Sequence, residues 1–400
     1  MLKTSKNRLF NPQESKLKTF YRQDYFVHPF AYTHDYMLSD ITLIGGGAIG
    51  LLTAREFINA GMTVTVIDKG EVGKESSWAG GGILLPLYPW RQHQAITQLV
   101  TQSLGLYPTL ATELTETTGI SPEWNPCGLL ITQNPDVAAA VNWCNRNKIA
   151  FEEASKSILT GLNTSPDHAL WLPHIAQIRN PRLIKSLKQD LLQRGVRLIE
   201  NCQLSAINIR NNRVNSIDTN LGNLPINQLI ITAGAWTTDL IKQFLPMMRN
   251  EIPAIAPVKG QMLLFAAKPD TLRKIVLDGE QYLIPRMDGH ILAGSTVEGN
   301  TFDKSVTSEA NIQISDFALN LLPVLKNYPL VKHWAGLRPG TPNGIPYIDR
   351  HPEIDNLSIN AGHFRNGLAM APASAKLITD LILDRPTSID PKPYQLVRLA

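Results

Sequence analysis

A glycine-rich turn near residue 45 constrains the fold of this 400-residue chain more than any other feature. From Asp40 the sequence reads ITLIGGGAIG, so a short apolar run leads directly into Gly45, Gly47 and Gly50. Apolar residues at helical spacing follow the turn, and MTVTVID then alternates β-branched residues up to Asp68. Strand, turn, helix and strand in this order predict a βαβ unit and the start of a parallel sheet.

The spacing of the three glycines, GxGxxG, is typical of dinucleotide binding. The first glycine permits the tight turn, the second lets the backbone approach a pyrophosphate, and the third lets the helix pack on the strand. Asp68 ends the next strand, where a carboxylate can hold ribose hydroxyls and disfavours the 2′-phosphate of NADP. A glycine turn that serves packing alone is the alternative.

A second glycine-rich segment, ESSWAGGGILLP, follows the βαβ unit and favours FAD over NAD. It carries Ser76, Ser77 and consecutive glycines at positions 80–82. Small residues let the backbone pass close to a flat, bulky ligand. A flexible loop is the alternative interpretation.

Composition and charge exclude several classes of protein. Hydrophobic residues make up 43% of the chain and charged residues 18%, which allows a large core divided between two lobes. The net charge of +4 is spread along the chain, so we predict no nucleic-acid-binding surface and no polybasic membrane patch, whereas a small anionic substrate is compatible.

No apolar run reaches the ~20 residues of a membrane-spanning helix. Cys127, Cys144 and Cys202 are odd in number, far apart and without metal-ligand spacing, which argues against a disulfide framework or a zinc site, so we expect a cytoplasmic protein without bound metal.

Residues 1–36 differ from the rest of the chain. They are polar and aromatic-rich and lack the apolar stretch of a secretory signal, so we expect a disordered N-terminal extension. Met37 stands just before the first strand, and translation from that residue would explain the difference. A docking arm and an organelle transit segment are the alternatives.

Helix and strand patterns continue along the chain. Asn180 and Pro181 resemble a helix cap followed by a first-turn proline. Three β runs between residues 203 and 232 predict a meander that feeds a buried strand. A second sheet is predicted between residues 257 and 296, with a helix near residues 312–325 after it.

Five segments, in this order, resemble the signatures of the D-amino-acid oxidase superfamily of FAD-dependent oxidoreductases. They read IGGGAIG, ESSWAGGGILLP, IITAGAW, WAGLRPGTPNGIPYID and AGHFRNGLAMAPASAKLI, and the similarity extends from Asp40 to Pro386. Within the superfamily the chain is most similar to the glycine oxidases of thiamine biosynthesis. The resemblance implies an α/β fold, α+β overall, in which a Rossmann-like FAD-binding domain carries an inserted mixed-sheet substrate domain.

The resemblance also implies how the chain is divided and how FAD is held. Residues 38–122, 174–250 and 341–395 are assigned to the FAD-binding domain, and residues 123–173 and 251–340 to the substrate-binding domain. In the related sarcosine oxidases a cysteine near the flavin attaches it covalently. None of the three cysteines here falls in the corresponding motif, so we expect non-covalent FAD.

Carried over by motif, the resemblance places a set of residues beside the cofactor. They are Gly45, Gly47, Ala48, Ile49, Gly50, Asp68, Lys69, Ser76, Ser77, Gly82, Ile83, Leu84, Leu204, Thr232, Gly234, Trp236, His363, Phe364, Asn366, Gly367 and Leu368. In the GHFRNG loop, the positive end of the following helix would stabilise the anionic reduced flavin. For Trp236 a place in the core is the alternative. His363 is a candidate proton relay, with a structural hydrogen-bonding role as the alternative.

Three further residues are predicted to contact the substrate and to be catalytic. Arg338 lies between apolar residues and a Pro-Gly turn, so a buried guanidinium there needs a partner, either a substrate carboxylate or an internal acidic side chain. The resemblance makes Arg338 the carboxylate anchor and adds Tyr282 and Arg365 to the pocket. The chain departs from a related glycine oxidase at Glu280, aligned with a histidine, and at Val297, aligned with a methionine.

These inferences predict oxidative deamination of a small amino acid, most favourably glycine, with sarcosine or D-alanine as alternatives. The products implied are the imine or α-keto acid, ammonia and hydrogen peroxide, with molecular oxygen as electron acceptor. The resemblance further implies a link to thiazole synthesis, to the enzymes of that pathway as partners, and to a homo-oligomer. Three alternatives stay open: a D-amino-acid dehydrogenase with another electron acceptor, a tRNA-modifying FAD oxidoreductase, and a flavin-binding module or assembly partner without turnover.

Overall fold

A computed structural model of the protein describes residues 38–133, 136–164, 168–245 and 253–396. The extension predicted at residues 1–36 lies outside the described residues.

The predicted βαβ unit opens the described chain. It consists of β1 (Ile41–Ile44), α1 (Ala48–Asn59) and β2 (Val64–Ile67), and both strands are fully buried. The strands pair in parallel with Ile41 opposite Val64. Burial on both faces explains why each strand is a continuous apolar or β-branched run.

The remaining elements follow in chain order. The first group comprises α2 (Ser76–Ala79), α3 (Gln94–Thr118), β3 (Leu129–Ile131), α4 (Val137–Asn147), β4 (Glu152–Glu153), α5 (Lys156–Leu159), β5 (Leu170–Leu172), α6 (Asn180–Gln193) and β6 (Arg197–Ile199). The second group comprises β7 (Leu204–Arg210), β8 (Arg213–Thr219), β9 (Gly222–Pro225), β10 (Gln228–Ile231), α7 (Thr237–Phe244), β11 (Ala256–Phe265), β12 (Ile275–Asp278), β13 (Gln281–Pro285), β14 (Ile291–Gly294) and β15 (Glu298–Gly299). The last group comprises α8 (Ser308–Leu321), β16 (Leu330–Gly340), β17 (Tyr347–Arg350), β18 (Leu357–Ala361) and α9 (Gly367–Ile382).

A six-stranded sheet contains the βαβ unit. Its strand order is β17-β18-β10-β1-β2-β6, and every pair is parallel except β17 with β18. Helices α1 and α9 pack on the sheet and on each other, and α3 and α6 pack against this pair. The buried side chains of α1 and α6 share one core cluster with β1 and β2. This sheet brings the carboxyl ends of its parallel strands together at one edge.

A larger mixed sheet stands beside it. Its strands follow the order β15-β11-β14-β13-β12-β3-β5-β4, with β16 also paired to β11, and β3 with β12 is its parallel pair. Helix α8 packs Ile314 and Ala318 against the side chains of β11, β13 and β14. The predicted helix at residues 312–325 therefore exists, but it begins at Ser308 and ends at Leu321. A small antiparallel meander, β7-β8-β9, completes the described strands.

The prediction of Asn180 as a helix cap is wrong. Asn180 is the first residue of α6, and Arg179 precedes it as the cap. The Asn180 side chain instead donates from Nδ2 to the carbonyl of Ser77, 2.9 Å away, so it ties α6 to α2. Pro181 does occupy the first turn, where its missing N–H costs nothing.

The α/β fold with a Rossmann-like sheet and a second mixed sheet is confirmed. The described strands of the six-stranded sheet come from residues 41–67, 197–231 and 347–361, and those of the mixed sheet from 129–172 and 256–340. The domain boundaries given above stay a proposal. None of the described helices combines the length and the apolar character needed to cross a bilayer.

Candidate active site

A cleft of about 400 Å³ lies where the two sheets meet. One wall is formed by the turns that follow β1, β2, β10 and β18, and the other by β11, β13 and β16. Its volume falls in the range of ordinary small-molecule sites. Its position at the carboxyl ends of parallel strands is where open α/β sheets bind their ligands.

The glycine-rich turn after β1 is held tightly against β10. Gly45 has φ +112°, and a Cβ atom there would lie 2.5 Å from the carbonyl oxygen of Thr232, so only glycine fits. Helix α1 begins immediately afterwards, and the Ser77 hydroxyl accepts a hydrogen bond of 2.8 Å from the Ala48 N–H. The N-terminal end of α1, with its partial positive charge, thus forms part of the cleft.

Asp68 faces the same turn from the end of β2. Its carboxylate accepts hydrogen bonds from the N–H groups of Gly46 at 2.8 Å and Gly70 at 2.9 Å. Burial raises the pKa of this carboxyl group, and the two N–H bonds oppose that shift. Each oxygen keeps a lone pair for a further donor, as a ribose hydroxyl would be.

Lys69, the residue after Asp68, contacts Trp236, which pairs with a second aromatic ring. The ammonium of Lys69 is 3.8 Å from the centre of the Trp236 ring, and burial lowers the pKa of Lys69. Phe302, from the segment after β15, packs on Trp236 at a distance of 5.7 Å between the ring centroids. Trp236 therefore lines the cleft, and the alternative of a purely internal core residue does not describe its position.

Arg338 lies on β16, and its side chain crosses β11. Its guanidinium donates to Ser295 Oγ at 2.7 Å and to the carbonyls of Thr296 at 3.2 Å and Lys259 at 3.3 Å. A Cβ atom at Gly260 would lie 2.2 Å from Nη1 of Arg338, so a side chain there would displace the guanidinium. Burial lowers the pKa of Arg338, and the interaction with Tyr282 opposes this shift.

The alternative of an internal salt bridge for Arg338 is not found in the part of the chain that the structure describes. All of its hydrogen-bond acceptors there are neutral carbonyl or hydroxyl oxygens. Burying a cation among neutral groups is costly unless an anion joins it. The guanidinium lines the cleft and is thus available to an anionic ligand.

Tyr282 and Arg365 lie close to Arg338. Tyr282, on β13, is 8% exposed and lines the cleft. Arg365 follows β18 and forms an ion pair of 3.0 Å with Glu280 through Nη1, while its buried Nη2 has no hydrogen-bond partner among the described residues. Glu280 is one of the two positions at which the chain departs from a related sequence, and no sequence motif indicates its contact with Arg365.

His363 is a buried residue of the loop that carries Arg365. Its Nε2 lies 2.7 Å from the hydroxyl of Ser374, which in turn donates to Asn360 Oδ1 at 2.7 Å. Burial lowers the pKa of His363 to about 3, so its ring is neutral at physiological pH. These contacts favour the structural role over a proton relay.

The structure brings nearly all of the predicted cofactor and substrate residues to one cleft. Those in its lining are Gly45, Gly47, Ala48, Ile49, Asp68, Lys69, Ser76, Ser77, Gly82, Ile83, Leu204, Thr232, Gly234, Trp236, Tyr282, Arg338, His363, Phe364, Arg365, Asn366, Gly367 and Leu368. Two of the predicted cofactor residues, Gly50 and Leu84, do not line the cleft. A Cβ atom at Gly50 would lie 2.0 Å from the Gly45 carbonyl, so this glycine serves packing behind the turn, and Leu84 is fully buried in the core.

Several cleft residues were missed by the sequence interpretation. Asn180 lines the cleft, and its buried Oδ1 has no partner among the described residues. Ser295, the residue after β14, and Gly260, on β11, support Arg338. No local pattern marks these positions, because each is defined by a neighbour more than 40 residues away in sequence.

The fold and the cleft together define an FAD-dependent oxidoreductase. The family model described as FAD dependent oxidoreductase matches residues 40–381, and the chain belongs to this family.

Individual proteins show which members of this family the chain resembles. Glycine oxidase of Pseudomonas putida is 43% identical over 363 residues, which covers 90% of this chain and 98% of that protein. The bifunctional protein ThiO/ThiG of Synechocystis is 30% identical over 361 residues, 88% of this chain and 52% of that protein. Among solved structures, the glycine oxidase from Geobacillus kaustophilus matches with a TM-score of 0.85 at 26% identity, covering 90% of this chain and 99% of that one.

The residues of the cleft fit FAD. Gly47, Ala48 and Ile49 line the cleft, so the start of α1 is accessible to a pyrophosphate. Asp68 retains acceptor capacity for a ribose. The unpartnered Oδ1 of Asn180 offers a buried acceptor to a donor group of the cofactor.

Proposed function

We propose that this protein oxidises the carbon–nitrogen bond of a small amino acid, most favourably glycine, on non-covalently bound FAD. The observation that carries the proposal is Arg338, a buried cation in the cleft whose described partners are all neutral. A substrate carboxylate would supply the missing anion in a bidentate geometry. The glycine oxidase of Pseudomonas putida, to which the chain is similar over 90% of its length, supports glycine as the substrate.

The chain's own residues position the substrate. Arg338 binds the carboxylate, and the hydroxyl of Tyr282 donates a hydrogen bond to it. Ser295 and Gly260 hold the guanidinium in place, the first by a hydrogen bond and the second by leaving space. Bound FAD would supply the two-electron oxidation, as the acceptor of the hydride that leaves the α-carbon. Helix α9 begins in the wall of the cleft and adds positive potential there, which favours a reduced, anionic cofactor.

The proposed products follow from this reaction. The imine is hydrolysed to an α-keto acid and ammonia, and glycine would give glyoxylate. Molecular oxygen takes up the electrons as hydrogen peroxide. We propose sarcosine and D-alanine as further substrates, the cytoplasm as location and a homo-oligomer as assembly. The similarity to a bifunctional ThiO/ThiG protein supports a role in thiazole synthesis for thiamine, with thiazole-forming enzymes as partners.

Non-covalent attachment is supported by the positions of the three cysteines. Cys202 lines the cleft beside Asp68, whose carbonyl accepts the Cys202 N–H at 2.8 Å, at the end proposed for the ribose. Cys127 and Cys144 do not line the cleft. Acid precipitation of the purified protein should therefore leave the yellow flavin in the supernatant, and a yellow pellet would contradict this part of the proposal.

Anaerobic flavin bleaching with a panel of amino acids tests the reaction. Glycine, sarcosine and D-alanine should reduce the flavin, and reoxidation in air should yield hydrogen peroxide, measured with an oxygen electrode and catalase. Bleaching without oxygen uptake would indicate a dehydrogenase with another acceptor. Failure of every small amino acid to bleach the flavin would reject the proposal.

The carboxylate anchor has a separate test. Arg338→Met should raise KM for glycine by roughly 30- to 5000-fold, because truncating one partner of a buried charge pair costs about 2–5 kcal/mol. Arg338→Lys keeps the charge but loses the planar guanidinium. Its KM should therefore lie between those of the unmodified enzyme and Arg338→Met. Unchanged kinetics in both variants would exclude Arg338 as the anchor.

A further inference from the structure

The ion pair between Glu280 and Arg365 stands at the rim of the cleft. Glu280 lies in the turn between β12 and β13, two residues before Tyr282. Arg365 belongs to the loop between β18 and α9. The pair therefore joins the mixed sheet to the six-stranded sheet, with Oε2 of Glu280 3.0 Å from Nη1 of Arg365.

The two partners differ in exposure. The side chain of Arg365 is 25% exposed and that of Glu280 is 67% exposed. The arginine thus points inward and the carboxylate covers it from the solvent side. One nitrogen of the guanidinium, Nη2, is buried without a hydrogen-bond partner among the described residues, so its binding capacity is only partly used.

Arg365 and Arg338 lie close enough to interact electrostatically in the cleft. Both line the cleft. Burial is the main cause of the lowered pKa of Arg338, and the positive charge of Arg365 lowers it further, which places the two cations within electrostatic range.

The three charges of Arg338, Arg365 and Glu280 add up to one net positive charge. Arg338 and Arg365 contribute two positive charges, and Glu280 removes one. A single net positive charge matches a substrate with one carboxylate and a neutral amine. Without Glu280, two cations would face the cleft and would match a substrate with two anionic groups.

We propose that Glu280 is a specificity-determining residue that neutralises Arg365 and so excludes amino acids carrying a second anionic group. This inference rests on the proposed function, because it takes Arg338 as the site of the first carboxylate. Glu280 acts in two ways: it occupies Nη1 of Arg365, and its own charge repels a second anion at the rim.

Sarcosine and iminodiacetate form a matched pair of probes. Both are secondary amines built on glycine, and they differ in that a carboxylate replaces a hydrogen of the N-methyl group. The ratio of their kcat/KM values for anaerobic flavin reduction isolates the effect of the second carboxylate. Acetate and malonate, which are not oxidised, give the same comparison as binding constants from perturbation of the flavin spectrum.

In Glu280→Gln the iminodiacetate-to-sarcosine ratio should rise about fivefold, and malonate should bind more tightly relative to acetate by a similar factor. A partly exposed ion pair is worth up to about 1 kcal/mol, which corresponds to that factor. Adding Arg365→Leu to this variant should abolish the rise in the iminodiacetate-to-sarcosine ratio and in the preference for malonate. Asp384→Asn is the control, because Asp384 pairs with Arg350 on the surface away from the cleft; its ratio should equal that of the unmodified enzyme.

The possible outcomes distinguish a failure of the specificity role of Glu280 from a failure of the proposed function. If sarcosine reduces the flavin but the ratio is the same in Glu280→Gln, the specificity role is overturned and the proposed function stands. An equal rise in Asp384→Asn, or a gain that survives the loss of Arg365, also overturns it. If no small amino acid reduces the flavin, the proposed function fails, and the acetate and malonate constants still decide whether Glu280 selects against dianions.

Discussion

At the scale of single residues, the chain buries ionisable groups in two different ways. Arg338 stays in the cleft among neutral acceptors, where an anion can join it. His363 is instead enclosed with Ser374 and Asn360, and no acidic side chain hydrogen-bonds it in the described structure. A buried neutral histidine must be protonated when the protein unfolds below the ordinary histidine pKa, so it links stability to pH.

The stability of the protein should therefore fall in mild acid, and His363 should account for part of the fall. The folded-state pKa of His363 is lowered to about 3, so the unfolded chain binds one more proton below the ordinary value of about 6.5. The contribution is fully present above pH 6.5 and is lost as the pH drops towards 3. At pH 5 the loss amounts to about 2 kcal/mol.

Urea unfolding at pH 7.5 and pH 5 measures this effect. The loss of unfolding free energy between the two pH values should be smaller in His363→Gln than in the unmodified protein by about 2 kcal/mol. Glutamine keeps a hydrogen-bonding group near Ser374 but cannot take up the proton. Equal losses in the two proteins would show that His363 does not carry the pH dependence.

At the scale of elements, the sequence predicts what is local and misses what is paired at long range. The turn at Gly45 and the acid at Asp68 were predictable, because one βαβ unit contains both and their spacing follows from strand and helix lengths. The contact between Gly260 and Arg338 depends on the antiparallel register of β11 and β16, and the pair of Glu280 and Arg365 joins two sheets. Such long-range pairings depend on tertiary packing, which short sequence motifs do not encode.

Gly260→Ala should damage the substrate site without damaging the FAD site. The added methyl group would lie 2.2 Å from Nη1 of Arg338, and the flexible guanidinium would move before the backbone of β11 does. A displacement on the order of 1 Å at a substrate-positioning group reduces activity about 100-fold. We expect kcat/KM for glycine to fall by roughly 10- to 100-fold while the FAD dissociation constant is unchanged.

Gly299→Ala is the matched control for this variant. Gly299 lies in β15, which pairs with the same strand β11, but an added methyl group there meets no atom within 4 Å. Its kinetics should equal those of the unmodified enzyme. If Gly260→Ala behaves like Gly299→Ala, the side chain of Arg338 does not need its observed position.

At the scale of the whole described molecule, the cleft depends on contacts that cross from the mixed sheet to the six-stranded sheet. Trp334 on β16 donates to the carbonyl of Ala79 in α2 at 3.0 Å. Lys304, in the segment after β15, forms an ion pair of 2.9 Å with Glu75, and Phe302 in the same segment packs on Trp236. Residues 300–306 thus reach across the end of the cleft where Lys69 and Trp236 lie.

We expect this crossing segment to help retain FAD. An aromatic pair contributes about 0.5–1.5 kcal/mol beyond its buried area, so Phe302→Ala should raise the FAD dissociation constant roughly 3- to 10-fold. Titration of the apoprotein with FAD, followed by quenching of flavin fluorescence, measures the constant. Ile312→Ala is the control, since Ile312 is an exposed apolar residue of α8 that does not line the cleft. Equal dissociation constants for Phe302→Ala and the unmodified protein would mean that the contact with Trp236 does not stabilise the bound cofactor.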